Sequence, residues 1–152
     1  MTFDVNSLLS QTITEAGSTQ TVPVPAGDHR AYIDKWELKT WAKKDDPTIS
    51  GVKLQIIWNV EDQEVRDLLG RDKVLVQQDI MLDLDENGNI ALGKGRNVDL
   101  NRLREALGMN GGRPFSFSAL DGQQAIVTVK HDVDKQDPEK IYPRVKAVGK
   151  LA

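Results

Sequence analysis

The sequence contains no cysteine, so neither a disulfide framework nor a thiolate zinc site can form. Nowhere do about 18 apolar residues follow one another, and the opening MTFDVNSLLSQTITEAGSTQ has neither the basic start nor the apolar stretch of a secretory signal. No membrane association is expected, and cytoplasm is the default compartment. Histidine is scarce: His29 and His131 are the two present, and neither has a metal-ligand partner four residues on. Gly-x-Ser-x-Gly and the complete phosphate-binding Gly-x-x-x-x-Gly-Lys-Ser/Thr sequence are both missing. These gaps point away from an enzyme and toward a binding protein that needs no cofactor and no metal. Carboxylates such as Asp79, Asp83 and Asp85 lie near one another, but a charge-rich strand and turn is ordinarily a solvated face.

Also lacking is the basic excess that a phosphate-binding surface usually shows, since the formal net charge is −3. The imbalance is uneven. Residues 1–93 hold 9 Lys/Arg against 16 Asp/Glu, whereas residues 94–152 hold 11 against 7, so a polarised surface is compatible with the total.

What is present is a globular mixture, 39% hydrophobic and 28% charged, in 152 residues: enough for one domain with a real core. Residues 1–22 are polar and rich in Ser, Thr and Gln, with Leu8, Leu9 and Ile13 isolated among them, and read as an arm. The Pro23, Pro25 and Gly27-Asp28 punctuation then opens a folded body over residues 23–152.

Alternation predicts a first strand over 29–41, with Tyr32, Trp36 and Leu38 on one face and Ala31, Ile33 and Trp41 on the other. A cleaner pattern in Val52, Leu54, Ile56, Trp58 and Val60, opposed by Lys53, Gln55 and Asn59, predicts a second, half-buried strand in which Trp58 belongs to the core. Residues 62–71 read as a helical turn ended by Gly70, and 72–84 as a third strand, with a hairpin signal beyond it at Asn87-Gly88. A helix is predicted over 99–107, with Asp99 as N-cap, Leu100, Leu103 and Leu107 on one face and Gly108 as the stop. A fourth strand is expected over 123–133 and a fifth around Val145 and Ala147, with the polar turn 134–140 between them.

Five strands with one helix between the third and fourth predict a mainly β chain, and this order resembles the five-stranded OB-fold barrel, an oligonucleotide-binding architecture. The segments Pro25-Ala26-Gly27-Asp28-His29-Arg30-Ala31-Tyr32-Ile33, Leu100–Gly108 and Leu120-Asp121-Gly122-x-x-Ala125-x-Val127-x-Val129 resemble a family of small bacteriophage single-stranded DNA-binding proteins. The likeness spans about residues 23–151. It implies binding of single-stranded DNA with little sequence preference during phage replication or recombination, in the host cytoplasm, with replication or recombination enzymes as further partners. One departure stands out: the chain ends Arg144-Val145-Lys146-Ala147-Val148-Gly149-Lys150-Leu151-Ala152, without the acidic tail that recruits partner enzymes in many such proteins.

Binding unpaired bases requires aromatic faces for stacking and cations that follow the phosphates. Tyr32, Trp36 and Trp41 with Arg30, Lys35 and Lys39 interleaved, Lys43 and Lys44 just beyond, and Tyr142 with Arg144 and Lys146 are the candidates. Lys94, Arg96 and Arg113, in two glycine-containing connections, form a second tier of phosphate contacts, although flexible connection is the plainer reading. The run Asp83-x-Asp85-x-Asn87-Gly88 matches the start of a calcium loop, but Lys94 stands where the bidentate Glu belongs, so it reads as a polar turn. The alternative function is a virion structural or assembly protein whose arm reaches a neighbouring subunit; a homo-oligomer is compatible with either reading.

Overall fold

The computed structural model describes residues 4–19 and 21–151. Residues 1–3 and 20 of the expected arm, and Ala152, lie outside the described residues. Five strands are laid down as β1 (Gly27–Ala42), β2 (Ser50–Val60), β3 (Leu75–Leu82), β4 (Gln124–Val133) and β5 (Ile141–Gly149). Helices α1 (Val5–Leu9), α2 (Gln63–Leu69) and α3 (Val98–Ala106) complete the described α-structure, with one 3-10 turn at Phe117–Leu120.

β1 is long enough to serve two neighbours. Its first part, Gly27 to Tyr32, pairs antiparallel with β4, and from Ala31 onward it pairs antiparallel with β2. β2 and β3 are antiparallel, as are β4 and β5. The strand order runs β1-β2-β3-β5-β4 and returns to β1. The β3–β5 seam consists of one parallel pair, Gln77 with Arg144. Beyond it the two strands part, and α3 packs against both, with Leu103, Ile80 and Val145 bordering the cleft between them.

The expectation of an OB-fold barrel with one helix is corrected accordingly. The sheet is a mixed five-stranded one whose wall is not evenly hydrogen-bonded, because a helix and a cleft take the place of a β3–β5 ladder. It carries α2 between β2 and β3 in addition to α3.

The core is apolar and continuous. Ile33, Leu54, Ile56, Trp58, Val60, Val76, Ile80, Val127 and Val129 project inward from the strands, and Leu100, Leu103 and Leu120 close over them. Each such side chain contributes about 1.5–3 kcal/mol by leaving water. Trp58 is fully buried, and its indole Nε1 donates to Gln78 Oε1 at 2.8 Å, so the glutamine satisfies the one polar atom that the tryptophan brings inside.

Two bulges shift faces that alternation alone assigns differently. In β1 the register slips between Ile33 and Lys35. One extra residue turns the rest of the strand over, so Trp36 and Leu38 follow Ala31 and Ile33 on the inner side, while Tyr32, Lys35, Lys39 and Trp41 share the outer side. The expected grouping of Tyr32 with Trp36, and of Trp41 with Ile33, is corrected by that slip. In β5 a second slip, opposite Thr128 and Val129, leaves Val145 buried and Ala147 exposed.

The caps of α3 also differ from expectation. The N-cap is Asn97, in the left-handed region at φ 50°, rather than Asp99, which sits exposed in the first turn. Asn97 is buried and fully used: Oδ1 accepts from the Asp83 amide at 2.7 Å, and Nδ2 donates to the carbonyls of Asp83 and Ala91, each at 2.8 Å. These bonds tie the β3–α3 loop to itself and hold the residue in a conformation that asparagine tolerates better than most. At the other end Gly108 has φ 74°, and the Met109 amide reaches back to the Arg104 carbonyl, a glycine-based helix stop.

Candidate nucleic-acid interface

The outer face of β1, β2 and β3 is built from residues that the inner face leaves over. Register places them in lateral rows. Lys35, Ile57, Gln77 and Arg144 run across all four strands β1-β2-β3-β5. Glu37, Gln55 and Asp79 form the next row, and Lys39, Lys53 and Met81 the one after. Trp41 lies beyond, opposite Gly51. From Lys35 to Trp41 the strand advances ~20 Å at 3.3 Å per residue.

Trp41 is half-buried because its ring lies on the backbone of Gly51: a Cβ built there would meet the indole at 3.0 Å. Its Nε1 is shielded from solvent and has no hydrogen-bond partner among the described residues, which leaves a donor unsatisfied. The adjoining β1–β2 loop carries Lys43 and Lys44, both exposed, and is closed by the Lys43 amide donating to the Ile49 carbonyl at 2.9 Å. No carboxylate among the described residues lies within ion-pairing distance of Lys35, Lys43, Lys44 or Arg144.

The middle row supplies the opposing charge. Asp79 accepts from Lys53 at 3.3 Å, from Gln77 at 3.0 Å and from Gln55 at 3.5 Å, and Lys39 pairs with Glu37 at 3.7 Å. Free cations therefore flank a partly neutralised centre.

At the seam, Tyr142 is 41% exposed, and the guanidinium of Arg144 stands 5.9 Å from its ring centroid. The Tyr142 hydroxyl donates to Asp134 at 3.4 Å. Asp134 anchors the β4–β5 turn by accepting from the amides of Gln136 and Asp137. These two backbone bonds, with smaller contributions from Lys140 and Tyr142, hold its carboxyl below the ordinary aspartate range.

The remaining candidates fall elsewhere or have other work. Trp36 faces inward: its Nε1 donates to Asp121 Oδ1 at 2.6 Å and its ring tilts against Phe117. Tyr32 is on the outer face, its hydroxyl accepting from Asn59 at 2.9 Å. Lys146 pairs with Asp132 at 3.0 Å. Arg113 donates to the Leu107 carbonyl at 2.6 Å, serving the end of α3. Lys94 is exposed in the β3–α3 loop, and Arg96 pairs there with Asp83 at 3.6 Å. The amide of Asn97 is taken by the Asp83 carboxylate, so the loop's expected phosphate cradle already holds an anionic side chain. Asp85 accepts from the amides of Asn87 and Asn89, which makes the calcium-like run a self-bonded turn. Among the described residues no group of three or more His, Asp or Glu is placed to hold a metal, and no helix is long and apolar enough to cross a membrane.

Lys35, an expected cation, is joined on the face by Lys53, Ile57 and Gln77, which were not among the expected binding residues. The alternation of β2 already set Lys53 on the polar side; what a single strand's periodicity lacks is the lateral register that joins it to Lys39. No family model, no curated protein and no solved structure matches the chain. The expected membership of a bacteriophage OB-fold family of single-stranded DNA-binding proteins is therefore withdrawn, and any function has to rest on the face itself.

Proposed function

We propose that this protein binds single-stranded DNA across the outer face of β1, β2 and β3, with little sequence preference. The observation that carries the reading is the sharing of one face by Trp41 and the unpaired cations Lys35 and Arg144, with Lys43 and Lys44 on the adjoining loop. An unpaired base stacks on the solvent side of the Trp41 ring, whose other side rests on Gly51, and a second base meets Tyr142 at the seam. Phosphates follow the cations and avoid Asp79. Stacking and charge have no base preference of their own, because every base offers a π-face and every nucleotide a phosphate.

The test is a titration with a homopolymeric single strand and with a duplex, read by tryptophan fluorescence over a salt series. Quenching by the single strand is expected. With three to six phosphates neutralised, log K should fall with log salt at a slope of about −2 to −4. Absence of measurable binding at low salt, or equal binding of duplex and single strand, overturns the reading.

A further inference from the structure

The cleft where β3 and β5 part is a groove of about 740 Å³, with α3 along one wall. Its floor is apolar, from Ile80, Leu103 and Val145, and its rim is charged. Among the described residues, β3 after Gln77 and β5 after Arg144 have no strand partner on the sides that face each other. Two strand edges thus border the groove with unpaired backbone donors and acceptors, the arrangement into which an extended segment inserts by strand addition.

The arm has complementary properties. All its described residues from Asp4 to Val22 are exposed, and Ile13 is 85% exposed, the most of any large apolar side chain in the described chain. Around it, Gln11-Thr12-Ile13-Thr14-Glu15 is short, β-favouring and free of glycine and proline. The first 28 residues contain no Lys or Arg, and their charges are those of Asp4, Glu15 and Asp28. The groove lining carries Arg102, Arg144, Lys146 and Lys150 against Asp79, Asp99, Glu105 and Asp132. Of its cations, Arg144 and Lys150 have no ion-pair partner among the described residues, which leaves them free to meet Glu15.

We infer that the groove receives the arm of a second copy of this chain, with residues 11–15 lying between β3 and β5 and Ile13 seated on the apolar floor. Five residues extend ~17 Å, the same run as Gln78 to Leu82 on β3 or Val145 to Gly149 on β5. The seven residues 16–22 then span up to about 25 Å back to the body, and a two-fold exchange satisfies both grooves at once. Because α1 and Ile13 make no buried contact within their own chain, the exchange covers apolar surface that otherwise stays in water. It gives the subunit contact expected of the arm a receiving site, and of the cations that carry the DNA reading it shares only Arg144.

Sedimentation equilibrium on the full chain over a wide concentration range tests this. A reversible dimer is expected. Ile13→Asp, on an exposed arm, and Ala147→Glu, on the exposed rim of the groove, should each weaken dimerisation by about tenfold or more. Adding Glu15→Lys to Ala147→Glu should recover part of the loss. Ile13→Asp should leave oligonucleotide-induced quenching intact, which separates a failure here from a failure of the DNA reading. A chain that stays monomeric throughout, or a dimer indifferent to Ile13→Asp, overturns the inference. So does a dimer that Ile13→Asp dissociates but Ala147→Glu leaves unchanged, or a monomer whose arm amides are protected from exchange.

Discussion

Trp41 and Gly51 face each other across the β1–β2 ladder, and the indole rests so closely on the glycine backbone that position 51 has no room for a side chain unless the ring moves. The ring is thereby held flat on the sheet with one face outward. Trp36, five residues earlier, is held by Asp121 and Phe117 on the other side of the same strand. The two tryptophans should separate in experiment. Trp41→Ala should weaken single-stranded DNA binding by about 1–3 kcal/mol with little effect on melting. Trp36→Phe, which loses the bond to Asp121, should cost about 1 kcal/mol of stability and leave binding unchanged. Oligonucleotide titrations and thermal melts of the two variants check this pair of outcomes; equal binding by Trp41→Ala and wild type removes Trp41 from the site.

Asp79 is the negative charge at the centre of the proposed face, bonded to Lys53, Gln55 and Gln77. Asp79→Asn keeps the shape and frees Lys53 for phosphate. Binding should tighten by up to roughly fivefold at low salt, the scale of one exposed charge pair. The gain should shrink as salt rises. Unaltered affinity at low salt would mean that the strand does not cross β3.

The carboxyl of Asp134 is held below its ordinary range chiefly by the amides of Gln136 and then Asp137. A depressed carboxyl stabilises the folded turn above its unfolded pKa, and that contribution is lost as pH falls through the lower, folded value. The amide proton shifts of Gln136 and Asp137 should therefore titrate together, with a midpoint below that of an unstructured aspartate. Asp134→Asn should abolish the titration. A midpoint at or above the ordinary value would contradict the bonding described for this turn.

Leu103 is 1% exposed, central in α3, and borders the cleft beside Ile80 and Val145. Leu103→Ala should destabilise the fold by about 2–5 kcal/mol, with the spread set by how far α3 can settle into the void. Denaturant unfolding measures it, and an unchanged midpoint would place α3 outside the cooperative core.

Strand positions were legible because each has one wet and one dry face: Leu54, Ile56, Trp58 and Val60 alternate with Lys53, Gln55 and Asn59, and that pattern needs no partner to be read. Leu100 and Leu103 at helical spacing announced α3 in the same way. The failures share a cause. A bulge at Asp34 adds a residue without marking itself by glycine or proline, so Tyr32 and Trp36 looked like neighbours on one face. Asn97 at φ 50° stands at the N-cap of α3 with no side-chain bond to the helix, held there by its bonds to Asp83 and Ala91 across the loop, whereas Asp99 looked like a cap on local grounds alone. The row from Lys35 to Arg144 spans four strands, and such lateral order exists only once register is set.

The single pair Gln77–Arg144 gives the molecule a line of least mechanical resistance. Long antiparallel ladders bind β1 to β2 and β4 to β5, whereas one parallel bridge stands between β3 and β5. Local opening is expected first at that seam, where the fewest backbone bonds must break, much as a rolled sheet of paper opens along its taped edge. Arg144 sits on the seam, so whatever grips its guanidinium also sets how far the roll can open.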